Sequence, residues 1–173
     1  RYLVQLDLSS YDLSHLEYCT TAGEALPVET FNRFLKKTGI CLKEGYGQTE
    51  LTLTIGNFSW MTARPGSMGK PAPGYEIDIV HPNGVSCSAT EIGEIVIRVE
   101  KGRPFGMFSG YYKDTKLTDE VFEGNLYRTG DTAWKDQDGY FWFVGRSDDL
   151  IKSAGYRISP FEVENVLLRH PAV

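Results

Sequence analysis

Apolar and polar positions alternate in two different ways along this chain. Near the start, the apolar run 16–21 predicts a short strand, and Phe31 and Phe34 recur at the spacing of one helix face. Gly39 predicts a left-handed cap where that helix ends. The apolar run 40–42 then predicts a second strand. The order strand, helix, strand favours a βαβ unit, in which parallel strands bring their carboxyl ends to one edge of a sheet.

From residue 70 onward the pattern becomes that of strands. The segments 75–80 and 94–99 alternate apolar and polar residues, and Asn83-Gly84 between them is a strong turn signal. One short helix, at about 114–122, interrupts the strands. The pattern predicts a β subdomain that extends from 70 to 145.

The pattern changes again after the dense apolar strand 140–144. Five small or charged residues follow at 145–149, and a new strand is predicted at 150–152. Ser159 has the spacing of a capping box and precedes a proline, so a helix is predicted from 160 to about 169.

Composition limits the classes of function. The net charge of −5 argues against a nucleic-acid partner, which would need a basic face. No apolar run approaches the roughly 20 residues of a membrane span, and no basic, cleavable leader opens the chain. Because the chain starts at Arg1 without a methionine and stops just past a predicted helix, we expect it to be an internal fragment of a longer protein.

Three cysteines, Cys19, Cys41 and Cys87, form no Cys-x-x-Cys pair. This odd count favours small buried side chains in a reducing compartment over a redox or metal site. The three histidines are far apart in sequence, and each is interpreted as a surface or boundary residue.

The run with the most functional side chains is Glu44-Gly-Tyr-Gly-Gln-Thr-Glu50. The glycines on either side of Tyr46 would let the backbone turn sharply and approach a ligand closely. Backbone amides and the Thr49 hydroxyl suit phosphate oxygens, and the Glu50 carboxylate beside them suits a hard cation such as magnesium. On composition alone, a glycine-rich turn with a solvated acid explains the run equally well.

Two later runs carry further polar groups. The run Tyr127-Arg-Thr-Gly-Asp131 ends with an aspartate, which can accept both hydrogen bonds from the paired hydroxyls of a ribose. The run 145–149 contains Arg146, whose guanidinium offers a fixed fork of donors to a phosphate or ribose oxygen. Taken alone, the first is a common turn, and the second is a charged linker with a local ion pair.

All three runs occur in the order found in the adenylate-forming superfamily of acyl-CoA synthetases, peptide-synthetase adenylation domains and beetle luciferases. The whole chain resembles this superfamily. Gly23-Glu24-Ala25 resembles its adenine-side loop, and 93–95 through 110–112 resembles the motif of its β subdomain. Four runs are most similar to the medium-chain acyl-CoA synthetases: 44–50, 103–106, 138–143 and 155–164.

The resemblance implies a role for each matching position. Thr49 would hold the ATP phosphates, Glu50 would bind magnesium, and Asp131, assisted by Arg146, would bind the ribose hydroxyls. Thr49 and Glu50 are therefore the catalytic candidates. The implied residues that bind ATP or AMP are Gly23, Glu24, Ala25, Glu44, Gly45, Tyr46, Gly47, Gln48, Thr49, Asp131 and Arg146.

Two more roles follow from the resemblance. Asp148 matches the hinge about which the small domain rotates. The segment that meets coenzyme A is matched by Ala154, Gly155, Tyr156 and Arg157. Relatives often carry serine where this chain has Ala154, which removes a hydroxyl contact to coenzyme A and leaves the backbone contacts.

The expected fold is α/β plus β, part of a two-domain adenylate-forming enzyme. Residues 1–69 would belong to the large α/β region, 70–145 to a β-barrel-like subdomain, 146–149 to the hinge, and 150–173 to the start of the small α+β domain. The family's phosphate loop would lie before this sequence, and its catalytic lysine would lie after it.

The resemblance implies an acyl-CoA synthetase that activates a medium-chain fatty carboxylate with ATP and Mg²⁺ and then transfers the acyl group to coenzyme A. The fragment alone is expected to be inactive. Three alternatives stay open: a ligase for acetate or an aryl acid such as benzoate, a luciferase-like oxygenase, and a non-catalytic nucleotide-binding fragment. The expected location is the mitochondrial matrix, the expected partners are the three small substrates, and the expected state is a monomer.

Overall fold

The computed structural model describes residues 5–153, 156–168 and 170. No helix in these residues is long and apolar enough to cross a membrane. In chain order the elements are β1 (Cys19–Ala22), α1 (Val28–Thr38), β2 (Leu42–Gly47), β3 (Leu53–Gly56), β4 (Lys70–Pro71), β5 (Ile77–Val80), β6 (Gly93–Arg98), α2 (Thr115–Val121), β7 (Phe122–Glu123), β8 (Leu126–Lys135), β9 (Phe141–Arg146), β10 (Ile151–Ser153), β11 (Tyr156–Ile158) and α3 (Pro160–Leu167).

The first sheet has the strand order β1-β2-β3-β4. Strands β1 and β2 are parallel, with Cys19 opposite Leu42 and Ala22 opposite Gly45, which confirms the predicted βαβ unit. Strands β3 and β4 extend the sheet in antiparallel fashion. The parallel register brings the loop after β1 beside the second half of β2, so the run 23–25 and the run 44–50 are neighbours at one sheet edge.

Helix α1 crosses between these parallel strands. It buries Phe31 and Phe34, one helical turn apart, against Leu26 and Leu42. Burying each such side chain stabilises the fold by roughly 1.5–3 kcal/mol. Gly39 ends the helix in the left-handed region at φ 73°, and its amide donates to the Leu35 carbonyl over 2.8 Å, which confirms the predicted cap.

The strand expected at 40–42 is displaced, because β2 begins only at Leu42, the last residue of the predicted run, and continues to Gly47. The first half of the motif is therefore strand, and the turn comes after it. The two glycines let the segment 52–53 pack directly against the backbone of β2. A Cβ on Gly45 would lie 2.4 Å from Leu53 Cδ1, and one on Gly47 would lie 2.2 Å from the Thr52 carbonyl oxygen.

The second sheet is antiparallel, with the order β5-β6-β8-β7. Strand β9 also pairs with β8, along residues 131–135 and beyond the point where β7 pairs with it. The strands predicted at 75–80 and 94–99 are β5 and β6. The predicted turn between them is present, since the Gly84 amide donates to the His81 carbonyl over 2.9 Å. The predicted short helix is α2, and Asp114 caps it by accepting from the Leu117 amide at 2.9 Å.

One apolar core joins the two sheets. Ile55 and Met68 from the first sheet's side pack with Ile79, Ile95 and Phe141 of the second, and Ile55, Ile79 and Ile95 are fully buried. Two backbone hydrogen bonds also connect the sheets: the Met68 amide donates to the Phe141 carbonyl over 2.9 Å, and the Phe141 amide donates to the Gly69 carbonyl over 2.8 Å. This core and these two bonds form the joint between the sheets. This joint holds the end of β2 close to β8.

Strands β10 and β11 form an antiparallel hairpin, and α3 follows it. Ser159 caps α3 as predicted by accepting from the Glu162 amide, and its hydroxyl donates to the Val144 carbonyl at the end of β9. The helix ends at Leu167 and not near 169. The division of the chain at 69, 145 and 149 stays a prediction.

Candidate active site

A cleft of about 970 Å³ opens at the carboxyl ends of β1 and β2. Its other walls come from β8, β9 and the start of α3. In open α/β sheets this edge is where ligands bind. Nine of the residues implied to bind ATP or AMP line the cleft: Gly23, Glu24, Ala25, Glu44, Gly45, Tyr46, Gly47, Asp131 and Arg146.

The carboxylate of Asp131 is the most strongly held acidic group of this cleft. Its Oδ2 accepts from the Tyr46 hydroxyl at 2.6 Å and from Gln48 Nε2 at 2.6 Å, while Oδ1 lies 3.8 Å from Arg146 Nη1. Only 5% of the residue is exposed. Burial raises the pKa of Asp131, and the hydrogen bonds from Tyr46 and Gln48, together with the positive charge of Arg146, oppose that rise. Since Oδ2 is occupied by two donors, Oδ1 is the oxygen left to a ligand beside the arginine.

Gln48 is the bridge between the first and second motifs. Besides its bond to Asp131, Nε2 donates to the Thr129 carbonyl at 2.9 Å, and Oε1 accepts from the Tyr127 hydroxyl at 3.2 Å. This side chain therefore binds the protein on both its amide nitrogen and its amide oxygen. It does not line the larger cleft but a second one. The geometry assigns it to positioning Asp131, which the sequence did not indicate.

The second cleft, of about 490 Å³, adjoins the first at Arg146. Glu50 lies in it, and its Oε1 accepts from the Tyr111 hydroxyl at 2.8 Å. Burial, together with that bond to Glu50, raises the pKa of Tyr111. Within the described residues Glu50 forms no ion pair. A half-buried carboxylate without a cationic partner fits a divalent cation that also binds substrate phosphates.

Thr49 lies in the turn directly after β2, and its side chain is exposed. It lines neither of these two clefts. Its hydroxyl makes no hydrogen bond within the part of the chain that the structure describes. The hydroxyl is thus available to a ligand, and its predicted contact with phosphate stays a prediction.

Glu44 is a buried acid in the wall of the larger cleft, 6% exposed. Its Oε1 accepts from the Leu26 amide at 3.1 Å, which ties the end of the 23–25 loop to β2. Burial raises the pKa of Glu44 to about 7, with the Leu26 bond opposing the rise. The side chain holds the loop in place, and its ionisation falls near neutral pH.

Arg146 and Asp148 form a local pair at the predicted hinge. Arg146 Nε lies 3.2 Å from Asp148 Oδ1, and both side chains are largely exposed, so this pair contributes little stability. The guanidinium lies over Gly130, where a Cβ would come within 3.2 Å of Arg146 Nη2. A glycine at 130, with φ 72°, therefore lets the arginine approach the backbone next to Asp131. This backbone is part of the continuous strand β8, which corrects the expectation of a turn at 129–131.

The predicted coenzyme A segment is only partly described. Ala154 and Gly155 lie outside the described residues. The backbone of Tyr156 and Arg157 belongs to β11, where Ser153 pairs with Tyr156 and Lys152 with Arg157. Their predicted contact with coenzyme A stays a prediction.

Sequence reasoning missed the apolar wall of the larger cleft. Met68, Phe143 and Phe161 line it. The Phe143 ring centroid lies 6.4 Å from that of Tyr46 and 6.3 Å from that of Phe161. Each aromatic residue occurs in an ordinary strand or helix pattern, so no local signal marks it as a site residue. Tyr111, the partner of Glu50, was likewise not assigned a role.

The fold and the site define the class. A family model described as AMP-binding enzyme matches residues 1–112, and the chain belongs to this family.

Individual proteins similar to this chain are acyl-CoA synthetases and CoA ligases. The whole chain is 47% identical to the mitochondrial acyl-coenzyme A synthetase ACSM3 of Mus musculus and covers 30% of it. It is also similar to the solved anthranilate CoA ligase AuaEII in complex with anthranoyl-AMP, with a TM-score of 0.87, 38% identity, and coverage of 99% of this chain and 32% of that one. The chain is also similar to the solved O-succinylbenzoate coenzyme A synthetase from Bacillus subtilis in complex with ATP and magnesium ion. The TM-score is 0.75 and the sequence identity is 30%, and the match covers 89% of this chain and 31% of that one. The chain thus spans about a third of the length of these proteins.

Proposed function

We propose that this chain is part of an AMP-forming acyl-CoA synthetase that acts on a medium-chain fatty acid. The observation that carries the proposal is Asp131, held by Tyr46 and Gln48 with its second oxygen beside Arg146. Three separate motifs converge on this one carboxylate. The arrangement suits a ribose hydroxyl that donates to Oδ1, the carboxylate oxygen beside Arg146. The mouse relative is named an acyl-coenzyme A synthetase.

The nucleotide would lie along the sheet edge. Its adenine would face the 23–25 loop, which Glu44 fixes through the Leu26 amide. Its phosphates would extend toward Thr49 and Glu50 in the turn after β2. Magnesium bound at Glu50 would neutralise charge on the phosphate oxygens, since Mg²⁺ takes one or two carboxylates together with substrate phosphates. The similar synthetase from Bacillus subtilis is in complex with ATP and magnesium ion, which supports a magnesium ion in the proposed reaction.

In the first half-reaction, a carboxylate oxygen of the fatty acid attacks the α-phosphorus of ATP. The bond from that phosphorus to the bridging oxygen breaks, pyrophosphate leaves, and an acyl-adenylate remains. Both reactants are anions, so donors fixed in place before the reaction lower the barrier. Arg146 in the cleft and the exposed Thr49 hydroxyl in the turn after β2 are the groups available for that task.

In the second half-reaction, the sulfur of coenzyme A attacks the acyl carbon, the thiol loses its proton, and AMP leaves as the carbon–oxygen bond breaks. The acyl-adenylate is sensitive to water until then. The apolar wall of Met68, Phe143 and Phe161 would help to exclude water. Rotation at Asp148 would then bring residues 154–157 to coenzyme A.

The two half-reactions test the proposal separately in the purified full-length protein. Exchange of labelled pyrophosphate into ATP reports adenylate formation, and thioester release reports transfer. With octanoate and Mg²⁺, both activities are expected. Exchange without thioester would indicate an adenylating enzyme of another kind, such as an oxygenase, and neither activity with any acid would indicate a nucleotide-binding protein only.

An aryl acid is the second candidate substrate class. The observation that favours it is the similarity to the anthranilate CoA ligase over 99% of this chain. A comparison of kcat/KM for octanoate, benzoate and anthranilate decides between the two classes. For location we propose the mitochondrial matrix, because the mouse relative is named mitochondrial.

A further inference from the structure

Three side chains that can bind metal ions meet at the connection between β5 and β6. His81, Cys87 and Glu91 each offer one ligand atom, and these atoms all lie within 4.8 Å of one another. None of the three lines either cleft of the candidate active site. The cluster is therefore separate from the magnesium position proposed at Glu50.

The backbone around this cluster is closely hydrogen bonded. The His81 amide donates to the Val85 carbonyl and the Cys87 amide to the Ile79 carbonyl, each over 2.8 Å. These bonds fold residues 81–87 back along β5. Ligand positions on hydrogen-bonded backbone need little ordering when an ion binds.

The Glu91 carboxylate is held by a tight turn. Its Oε2 accepts from the Ser88 amide at 2.7 Å, and the Glu91 amide donates to the Ser88 carbonyl at 3.2 Å. The same oxygen lies 3.4 Å from His81 Nε2. Two ligands of a tetrahedral zinc ion, with bonds of about 2.0–2.3 Å, lie roughly 3.3–3.8 Å apart, so this pair already has the separation that an ion requires.

Cys87 is the buried member of the cluster, at the rim of the core that contains Ile79 and Ile95. Its sulfur occupies space that a side chain at residue 93 would fill, since a Cβ on Gly93 would lie 2.6 Å from Sγ. Cys41, by contrast, is exposed and Cys19 is half-buried, which corrects the expectation that all three cysteines are buried. Packing among apolar neighbours is reason enough for a small buried side chain such as Cys87 at this position. It does not explain why a histidine and a glutamate flank the sulfur.

We propose that His81, Cys87 and Glu91 bind one zinc ion, or another thiophilic divalent cation, in a site distinct from the active site. The donor set of one imidazole nitrogen, one thiolate sulfur and one carboxylate oxygen suits zinc, which is borderline soft and accepts all three. Water would complete the tetrahedron. The ion would fasten the connection between β5 and β6 to the end of the sheet.

Cobalt(II) provides a direct probe, because a thiolate ligand gives a charge-transfer absorption that oxygen and nitrogen ligands do not give. The purified full-length protein, stripped of metal with a chelator, is titrated with CoCl₂ and then with ZnCl₂. We expect a thiolate-to-cobalt band that saturates at one equivalent and disappears when zinc displaces cobalt. Zinc should also raise the melting temperature.

Variants locate the site. Cys87→Ala should abolish the band and the zinc-induced thermal shift, and Glu91→Gln, an exposed change that leaves the core intact, should weaken zinc binding at least tenfold. Cys41→Ala is the matched control and should bind like the wild type. No thiolate band in the wild type, or a band that persists in Cys87→Ala, overturns the proposal. So does zinc affinity in Glu91→Gln equal to that of the wild type.

Discussion

The hydroxyl of Tyr46 donates a 2.6 Å hydrogen bond to Oδ2 of Asp131, a residue 85 positions further along the chain. Because Gln48 donates to the same oxygen, the carboxylate is fixed before any ligand arrives. A group that is fixed in advance loses less entropy when it binds a ligand. The proposed ribose site therefore depends on residues that do not themselves contact the ribose.

The first prediction tests this positioning role. Tyr46→Phe keeps the ring and removes the hydroxyl, so we expect the KM for ATP in the full-length protein to rise roughly tenfold, the scale of one hydrogen bond to a charged group. Tyr75→Phe is the control, because the Tyr75 hydroxyl pairs with Thr52 outside the larger cleft. Equal kinetics in Tyr46→Phe and wild type would show that the bond does not position Asp131.

The second prediction concerns Asp131 itself. Asp131→Ala removes the proposed ribose contact in the ground state and the transition state alike, so KM for ATP should rise more than kcat falls. Exchange of pyrophosphate measured against ATP concentration separates the two constants. Asp119→Ala, on the surface of α2, is the control. If the affinity for ATP does not change, Asp131 has only a structural role in β8.

The third prediction concerns magnesium. Glu50→Gln removes a charge and keeps the shape, and we expect adenylate formation to fall by roughly 10²-fold or more. Tyr111→Phe is the matched control, since it removes the hydrogen bond to Glu50 but keeps the carboxylate. Rates measured across a magnesium titration provide the test. A magnesium dependence in Glu50→Gln that matches the wild type refutes the assignment.

The fourth prediction concerns pH. Burial raises the pKa of Glu44 from 4.5 to about 7, so between these values the unfolded chain releases the proton first and stability falls as pH rises. Above pH 7 the full cost, about 3 kcal/mol, is present. Glu44→Gln cannot ionise, and its amide oxygen can still accept from Leu26.

Urea unfolding between pH 4 and 8 measures this effect. The variant should gain stability over the wild type as pH rises, by about 3 kcal/mol at pH 8 relative to pH 4. Glu17→Gln, an exposed change, is the control and should show no such gain. A difference between Glu44→Gln and wild type that stays constant with pH would contradict a raised pKa.

The fifth prediction concerns the hinge. The Asp148 amide makes no backbone hydrogen bond within the described residues, so proline there restricts φ without removing such a bond. We expect Asp148→Pro to leave pyrophosphate exchange largely intact and to slow thioester release by several orders of magnitude. Asp148→Ala removes the Arg146 pair but leaves the backbone free, and should retain both half-reactions. Equal loss of both half-reactions in Asp148→Pro would mean general damage.

Features that depend on a few adjacent residues could be predicted from the sequence. The cap at Gly39, the turn at 83–84 and the cap at Ser159 each follow from local backbone chemistry, and each was confirmed. The extent of β2 was not predicted, because glycine disfavours strands in general. The extent of β2 is decided by residues 52 and 53, which pack in the space that Gly45 and Gly47 leave free.

Contacts between distant residues could not be predicted in the same way. The motifs made Asp131 and Glu50 candidate site residues, but nothing local pairs Gln48 with Tyr127 or Glu50 with Tyr111. These partners depend on how the two sheets pack, and that packing rests on a core formed by side chains from both. The motif residues were therefore found without the side chains that position them.

The 85-residue separation of Tyr46 and Asp131 also affects how the protein is made. A ribosome adds about 5–20 residues per second, so Asp131 is joined to the chain about 4–17 s after Tyr46. During that interval the βαβ unit can form, since β1, α1 and β2 are contiguous, but the backbone joint to Phe141 cannot. The sheet edge that carries the first motif must stay soluble without its partner, and a chaperone that recognises exposed apolar strands would bind the nascent chain at this stage.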